Sequence, residues 1–191
     1  VKLLATRGDE SDVGFNGTLL VAARPYTHRL AVLKRAGLNL ATYPHPRMTP
    51  LAVHKTLNYL YYHQAASWAR EQGADEAVIL NPDGSLSETN TANLLVVSGK
   101  TVTRPRSSHV LPGVMQAAVS RRLHELGFLT EDRTILPDAL WDADMVLLTN
   151  ALMGAVPALS LDNRPLKYDN SLATALNKGL FNLQEVGDGL R

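Results

Sequence analysis

The sequence predicts an α+β fold: a mixed sheet or pseudo-barrel flanked by helices. Three observations point there. Short β-rich runs are joined by tight turns, Asn81-Pro82-Asp83-Gly84 and Ser98-Gly99-Lys100, which mark hairpins. Two amphipathic helix patterns, after Lys55 and after Gly113, interrupt those runs. Strands and helices are interspersed, yet they do not alternate as regular βαβ units.

The elements follow in order. Val1–Thr6 and Thr18–Arg24 read as strands, with the Gly- and Asp-containing stretch Arg7–Gly17 as the loop between them. Gly37–Tyr43 is a further strand before Pro44-His45-Pro46. After Lys55, the residues Leu57, Leu60, Tyr61, Ala65, Trp68 and Ala69 recur at spacings of three and four, so a helix is expected there, stopping near Gly73. Glu76–Leu80 is a short strand, and Leu94–Val97 and Thr101–Thr103 are strands around the Ser98 turn. Met115, Val119, Leu123 and Leu126 line one side of a second helix that Gly127 ends. Met145–Leu148 and Ala155–Leu161 are strands, and a last helix is expected from about Asn170 to Val186.

Composition narrows the function. The chain has 191 residues, 45% hydrophobic and 19% charged, ordinary values for a globular domain with a sizeable core. Lys plus Arg is 19 against 18 for Asp plus Glu, so there is no electrostatic case for nucleic acid or an anionic membrane as partner. No apolar run approaches the roughly 18 residues of a membrane span. The absence of cysteine excludes disulfides, thiol nucleophiles and Cys-zinc sites, and is compatible with the cytoplasm, the location expected here. The six histidines show no metal spacing, and no metal is expected. GxGxxG, Walker and GxSxG patterns are missing as well. The chain starts at Val1, directly in a strand-like run, which reads as a piece of a longer protein.

Four local features carry chemistry. Lys55 stands just before a helix pattern, where the positive end of the macrodipole favours a neutral amine, the form that attacks a carbonyl. Taken alone, a solvated surface lysine is the simpler reading. Glu88 lies among small polar residues in Gly84–Asn93 and could hold a protonated ring nitrogen; an exposed hairpin acid is the bland alternative. Leu111-Pro112-Gly113-Val114-Met115 opens a helix with no acid before Glu125, so its free N–H groups suit a phosphate, or simply make a loop-to-helix joint. Thr149-Asn150-Ala151 follows an apolar strand, a place where ligand clefts and ordinary turns both occur.

Together and in this order, the four resemble the class IV (fold-type IV) pyridoxal-phosphate enzymes, which include branched-chain and D-amino-acid aminotransferases and aminodeoxychorismate lyases. The matching runs are Lys55-Thr-Leu-Asn58-Tyr59, Asp75-Glu-Ala77 leading to Asp83-Gly-Ser-Leu-Ser-Glu88-Thr-Asn-Thr-Ala-Asn93, Leu111-Pro-Gly-Val-Met115, and Thr149-Asn-Ala-Leu-Met-Gly-Ala-Val-Pro157. They cover nearly the whole chain. The resemblance implies that residues 1–191 form the family's large cofactor-binding domain, with residues 1–40 holding the end of a preceding domain and the interdomain segment. The smaller N-terminal domain, with its phosphate-binding arginine, is not found.

The same resemblance implies the roles. Lys55 would carry the cofactor, pyridoxal 5′-phosphate, and move the proton at the substrate α-carbon. Glu88 would pair with the ring nitrogen. The N–H groups of Val114 and Met115 would bind the phosphate. Asn150 and Ala151 would border the phosphate and the substrate carboxylate, and Asn93 would support the Glu88 loop. Arg7, Asn58 and Ala151 are candidates for substrate contact. The partners implied are an amino-acid-like small molecule and a second copy of the chain. Val13-Gly14-Phe15 stands where D-amino-acid aminotransferases carry Arg-x-His, which argues against the D-specific enzymes. Asn150-Ala-Leu-Met153 with Pro157, and Lys-x-Leu-Asn at Lys55–Asn58, look most like the lyases. The expected reaction is therefore 4-amino-4-deoxychorismate lyase, releasing p-aminobenzoate and pyruvate. A branched-chain-type aminotransferase is the alternative, and a non-catalytic cofactor-binding or scaffold domain the third reading.

Overall fold

The computed structural model describes residues 1–8, 10–11 and 14–180. The chain opens with β1 (Lys2–Ala5), β2 (Glu10–Ser11), β3 (Gly14–Phe15) and β4 (Leu19–Ala22). Within Arg7–Gly17, expected as loop, β2 and β3 pair with each other, while β1 pairs antiparallel with β4, so these strands make two small sheets of their own. Val13 of the run Val13–Phe15 lies outside the described residues. A short helix that the sequence pattern does not show, α1 (Arg29–Leu33), follows. His28 Nδ1 accepts the Leu30 N–H at 3.2 Å to cap its start, and Lys34 in the left-handed region ends it.

β5 (Leu38–Thr42) enters the main sheet, and a 3₁₀ turn, Pro50–Val53, leads toward α2 (Leu60–Glu71). Then come β6 (Glu76–Leu80), β7 (Leu86–Thr89), β8 (Asn93–Ser98), β9 (Thr101–Pro105), α3 (Val114–Glu125), β10 (Leu129–Arg133), α4 (Ala139–Asp142), β11 (Met145–Asn150), β12 (Gly154–Leu161), β13 (Arg164–Pro165) and α5 (Asn170–Leu180). The part of the last predicted helix from 181 to Val186 lies outside the described residues.

The nine-stranded sheet runs β10-β9-β8-β11-β12-β5-β6-β7, with β13 beside β12. β9 with β10, β12 with β5, and β5 with β6 are parallel; the other pairs are antiparallel. The sheet curls, so that β7 comes back against β8 and β9. Leu86 N–H donates to Ile135 O at 2.7 Å across that closure. This is the mixed sheet of the expected fold class.

The central strands are buried on both faces, which is why they read as continuous apolar runs. Leu94, Val146, Leu148 and Val156 face the inside of the curl. Leu95, Val97, Met145 and Leu147 face the opposite way, against Val119 and Leu123 of α3 and Leu176 of α5. Under α2, Ala65 and Ala69 pack with Ala41 and Ala77, beside the buried ring of Tyr43 and the partly buried Tyr61 and Trp68.

One boundary and one edge strand differ from expectation for local reasons. The first long helix starts at Leu60, not directly after Lys55, and Leu57 is exposed ahead of it. Thr56 Oγ1 accepts the Asn58 N–H, and Tyr59 N–H donates to Leu57 O at 2.9 Å; these local bonds hold a turn where the helix was expected. β10 escapes the sequence pattern because Thr130-Glu131-Asp132-Arg133 is charged. It is an edge strand, whose Asp132 meets Arg104 of β9 through paired bonds of 2.7 Å. Among the described residues no helix is long and apolar enough to cross a membrane, and no cluster of potential metal ligands occurs.

Candidate active site

The curled sheet, the segment before α2 and the start of α3 enclose a cleft of about 330 Å³. Lys55 and Asn58 line it from the segment before α2, Glu88 from β7, Val114 and Met115 from α3, and Asn150 and Ala151 from the end of β11. Sites up to 96 residues apart in sequence thus converge. Arg7 is the exception. It follows β1 in the N-terminal hairpin and is not among the lining residues, because that hairpin forms a sheet separate from the one that builds the cleft.

Glu88 is no exposed hairpin acid; it is 5% exposed. The curl brings β7 under the loop before α3 and against α2. Its Oε1 accepts the Tyr62 hydroxyl at 2.5 Å and Arg47 Nη1 at 3.3 Å, and its Oε2 accepts the Leu111 N–H at 3.2 Å. Burial pushes the carboxyl up to about 7, against the downward pull of the Leu111 N–H, Arg47 and Lys55.

That shift has a consequence for stability. In the cofactor-free chain, folded Glu88 keeps its proton up to about pH 7, whereas the unfolded chain loses it near 4.5. Between these values the folded state binds more protons, so this group's contribution to stability is present below about pH 4.5 and lost as pH rises through 7. Urea midpoints of wild type and Glu88→Gln, compared at pH 5 and pH 8, should show wild type losing ground to the variant at the higher pH. A constant difference would mean that Glu88 titrates as an ordinary carboxylate.

Arg47 and Tyr62 line the cleft too, and neither stands out in the sequence. Tyr62 is one of several tyrosines in a helix. The available signal for Arg47 was its place just past β5, a strand running parallel to β6, since ligand clefts gather beyond the carboxyl ends of parallel strands.

Lys55 is exposed, with Nζ 5.4 Å from the Tyr59 ring centroid. Because α2 begins at Leu60, Lys55 lies beyond the first helical turn, and the macrodipole argument made for it loses most of its force. Its setting is instead the cleft wall facing Glu88, whose charge it helps to stabilise.

The start of α3 is built to receive an anion. Gly113 caps it without a side-chain bond, and no acid stands in the first turn, so the Val114 and Met115 N–H groups have no capping acceptor. A Cβ on Gly113 would lie 1.9 Å from Asn93 Oδ1, so any larger residue would push the Asn93 amide aside. Asn93 Nδ2 donates to Leu111 O at 2.8 Å and fastens this loop to β8. Opposite Asn93 in the β8–β11 register lies Thr149, fully buried on the cleft lining, with an Oγ1 that has no hydrogen-bond partner. An orphaned hydroxyl and uncapped helical N–H groups lining one cleft match a phosphate. With an amine and a buried carboxylate on the same cleft, the residues fit pyridoxal phosphate.

Asn150 is occupied by its own turn. Its Oδ1 accepts the Leu152 and Met153 N–H groups at 2.9 and 2.8 Å, and its Nδ2 donates to Thr91 O at 3.2 Å. The Asn150 side chain therefore shapes the rim, and the adjoining Ala151 borders the open space.

Comparison with known proteins finds relatives in both sequence and structure. The sequence profile of the family described as Amino-transferase class IV matches residues 1–161. The chain is 30% identical over 118 residues to the branched-chain-amino-acid aminotransferase of Escherichia coli K12, a stretch covering 61% of this chain and 38% of that protein. Among solved structures, a fold IV transaminase from Curtobacterium pusillum superposes with a TM-score of 0.80 at 29% identity, over 93% of this chain and 61% of the other. A provisionally named 4-amino-4-deoxychorismate lyase from Legionella pneumophila gives 0.77 at 25% identity, over 90% of this chain and 65% of the other. In each case the chain spans less than two thirds of the relative's length.

Proposed function

The chain belongs to the class IV aminotransferase family, and from that premise we propose that it acts with pyridoxal phosphate on an amino-acid-like substrate as a 4-amino-4-deoxychorismate lyase. When bound, that cofactor supplies an electron-withdrawing ring that acidifies the hydrogen on the carbon bearing the substrate amine. The Val114 and Met115 N–H groups hold its phosphate at the start of α3. Glu88 would hold the ring nitrogen, and Lys55 is the amine that would hold the cofactor at its carbonyl end. Lys55 would take the proton from the carbon bearing the amine. The C–O bond on the neighbouring carbon would break, expelling enolpyruvate as the substrate ring becomes aromatic. The proton would end on the methylene carbon of that enolpyruvate, making pyruvate. The Leu111–Gly113 loop and the Asn150 turn shape the walls that orient the substrate.

The observation that carries this proposal is Lys55 and Glu88 lining one cleft, with the acid buried and the amine open to approach. It supports a catalytic role over a scaffold. The lyase reading is favoured by the run Asn150-Ala-Leu-Met153, which forms the amide-closed turn at the cleft edge. The 30% identity to a branched-chain aminotransferase favours the second reading, transamination by the same Lys55 and Glu88. The proposal includes a homodimer: Met48, Leu51, Leu57 and Leu60 expose large apolar side chains on the segment bordering the cleft, as expected of a surface that a second copy covers. The cytoplasm is the proposed location.

The two reactions separate by their need for a keto acid. Full-length protein loaded with cofactor should convert 4-amino-4-deoxychorismate, without added keto acid, into equal amounts of p-aminobenzoate and pyruvate over many turnovers. No p-aminobenzoate, with rapid conversion of leucine or valine in the presence of 2-oxoglutarate, would replace the lyase with the aminotransferase.

A further inference from the structure

We propose that Arg47 and Tyr62 are positioning residues that fix the direction of Glu88, and that Arg47 is the permanent counter-charge that favours the anionic form of Glu88 inside the cleft. The proposal deepens the reading above and rests on it for what Glu88 then faces.

Arg47 is placed rigidly. Its N–H donates to Leu80 O at 3.0 Å, tying it to the end of β6, and its side chain is 11% exposed. The guanidinium lies 4.3 Å from the Tyr62 ring centroid and 5.7 Å from that of Tyr61. The two rings meet edge to face at 5.7 Å. Tyr61 is fastened in turn by its hydroxyl, which donates to His45 O at 2.6 Å, and burial raises its phenol to about 12, so it stays neutral. The rings favour a cation held against them, and the planar guanidinium stacks there.

A buried guanidinium and a buried carboxylate are each strongly destabilising when the partner is removed. Here each answers the other, at 3.3 Å. The groups facing Glu88 are Arg47 from the segment after β5, Tyr61 and Tyr62 from α2, Lys55 from the segment before α2, and the Leu111 N–H before α3. Arg47 and Lys55 are the cations among them. The chemistry proposed for Lys55 needs its nitrogen neutral or engaged, so it cannot be a steady counter-charge. A guanidinium, by contrast, serves as a steady positive charge.

The distribution of bonds sets the direction. Oε1 takes both Arg47 and Tyr62, whereas Oε2 takes the Leu111 N–H and keeps acceptor capacity. Oε2 is therefore the oxygen available to a ring N–H.

The test follows the carboxyl itself. Infrared titration of the full-length protein, with and without pyridoxal phosphate, reads the protonated-carboxyl band of Glu88, assigned by its loss in Glu88→Gln. Arg47→Met should raise the midpoint by about one to three pH units, and move the ascending limb of the kcat pH profile the same way. Arg47→Lys should restore most of the midpoint, and Tyr62→Phe should shift it by less than Arg47→Met does. If Arg47→Met does not fold, Arg47→Gln, which keeps a planar group without charge, takes its place. An unmoved midpoint in the uncharged variant, or an equal shift in Arg47→Lys, overturns the proposal. Failure of wild type to bind pyridoxal phosphate would overturn the functional reading instead, and the cofactor-free titration would still decide whether Arg47 sets the charge of Glu88.

Discussion

Lys55→Ala is expected to reduce turnover by more than about a thousand-fold while leaving the fold intact. A positioned proton carrier contributes roughly a hundred- to ten-thousand-fold by itself, and Lys55 is also the group proposed to engage the cofactor. Among the residues lining the cleft, it is the only primary amine. Its truncation should cost little stability. The side chain is exposed, its aromatic neighbour is Tyr59, and α2 begins beyond it at Leu60. A loss of activity with unchanged thermal unfolding would thus report chemistry. Borohydride reduction of the loaded wild-type protein, followed by peptide mapping, should place the label on Lys55. A label on another lysine, or on none, would sink the assignment, as would an alanine variant with near-normal turnover.

The main strands and helices were legible in the sequence where burial imposes a pattern. Met145-Val-Leu-Leu148 reads as a strand because both its faces are covered, one by the inside of the curl and the other by α3 and α5. Legibility fails where a local bond or a tertiary contact overrides the pattern. Leu57 has helical spacing but lies in a turn that Thr56 holds. Leu86-Ser-Glu-Thr89 is too polar to announce a buried strand, yet all four residues are buried in β7. The site shows the same division. The order and spacing of the Lys55, Glu88, Gly113 and Asn150 runs marked a cleft that no run marked singly. The burial of Glu88 was hidden, because the sheet's closure and the loop before α3 create it. Arg47 and Tyr62 were hidden for the same reason: they matter through a carboxylate 41 and 26 residues away. The small β2–β3 hairpin and the charged edge strand β10 carry too little apolar periodicity to be read.

Glu88→Gln should leave the fold and part of the cofactor binding in place and lower turnover by on the order of a hundred-fold or more, the usual cost of removing one preorganised electrostatic contact. The donors that converge on Glu88 explain why the nearly isosteric amide is a poor substitute. Tyr62, Arg47 and the Leu111 N–H all donate to the carboxylate. Glutamine offers one acceptor oxygen, and with that oxygen turned toward Tyr62 and Arg47, its NH₂ group meets the Leu111 N–H donor to donor. A ring nitrogen in the cleft would then face a donor as well. It would be held neutral, where the carboxylate favours the protonated, electron-withdrawing form. The loss should therefore fall on kcat more than on KM, because the charge is needed as the substrate carbon gives up its proton, not for the substrate to bind. Steady-state kinetics with matched cofactor occupancy would measure that division. Wild-type turnover in Glu88→Gln would mean that the buried carboxylate only holds β7 to α2 and the loop before α3. A loss confined to KM would move its role from the cofactor ring to the substrate.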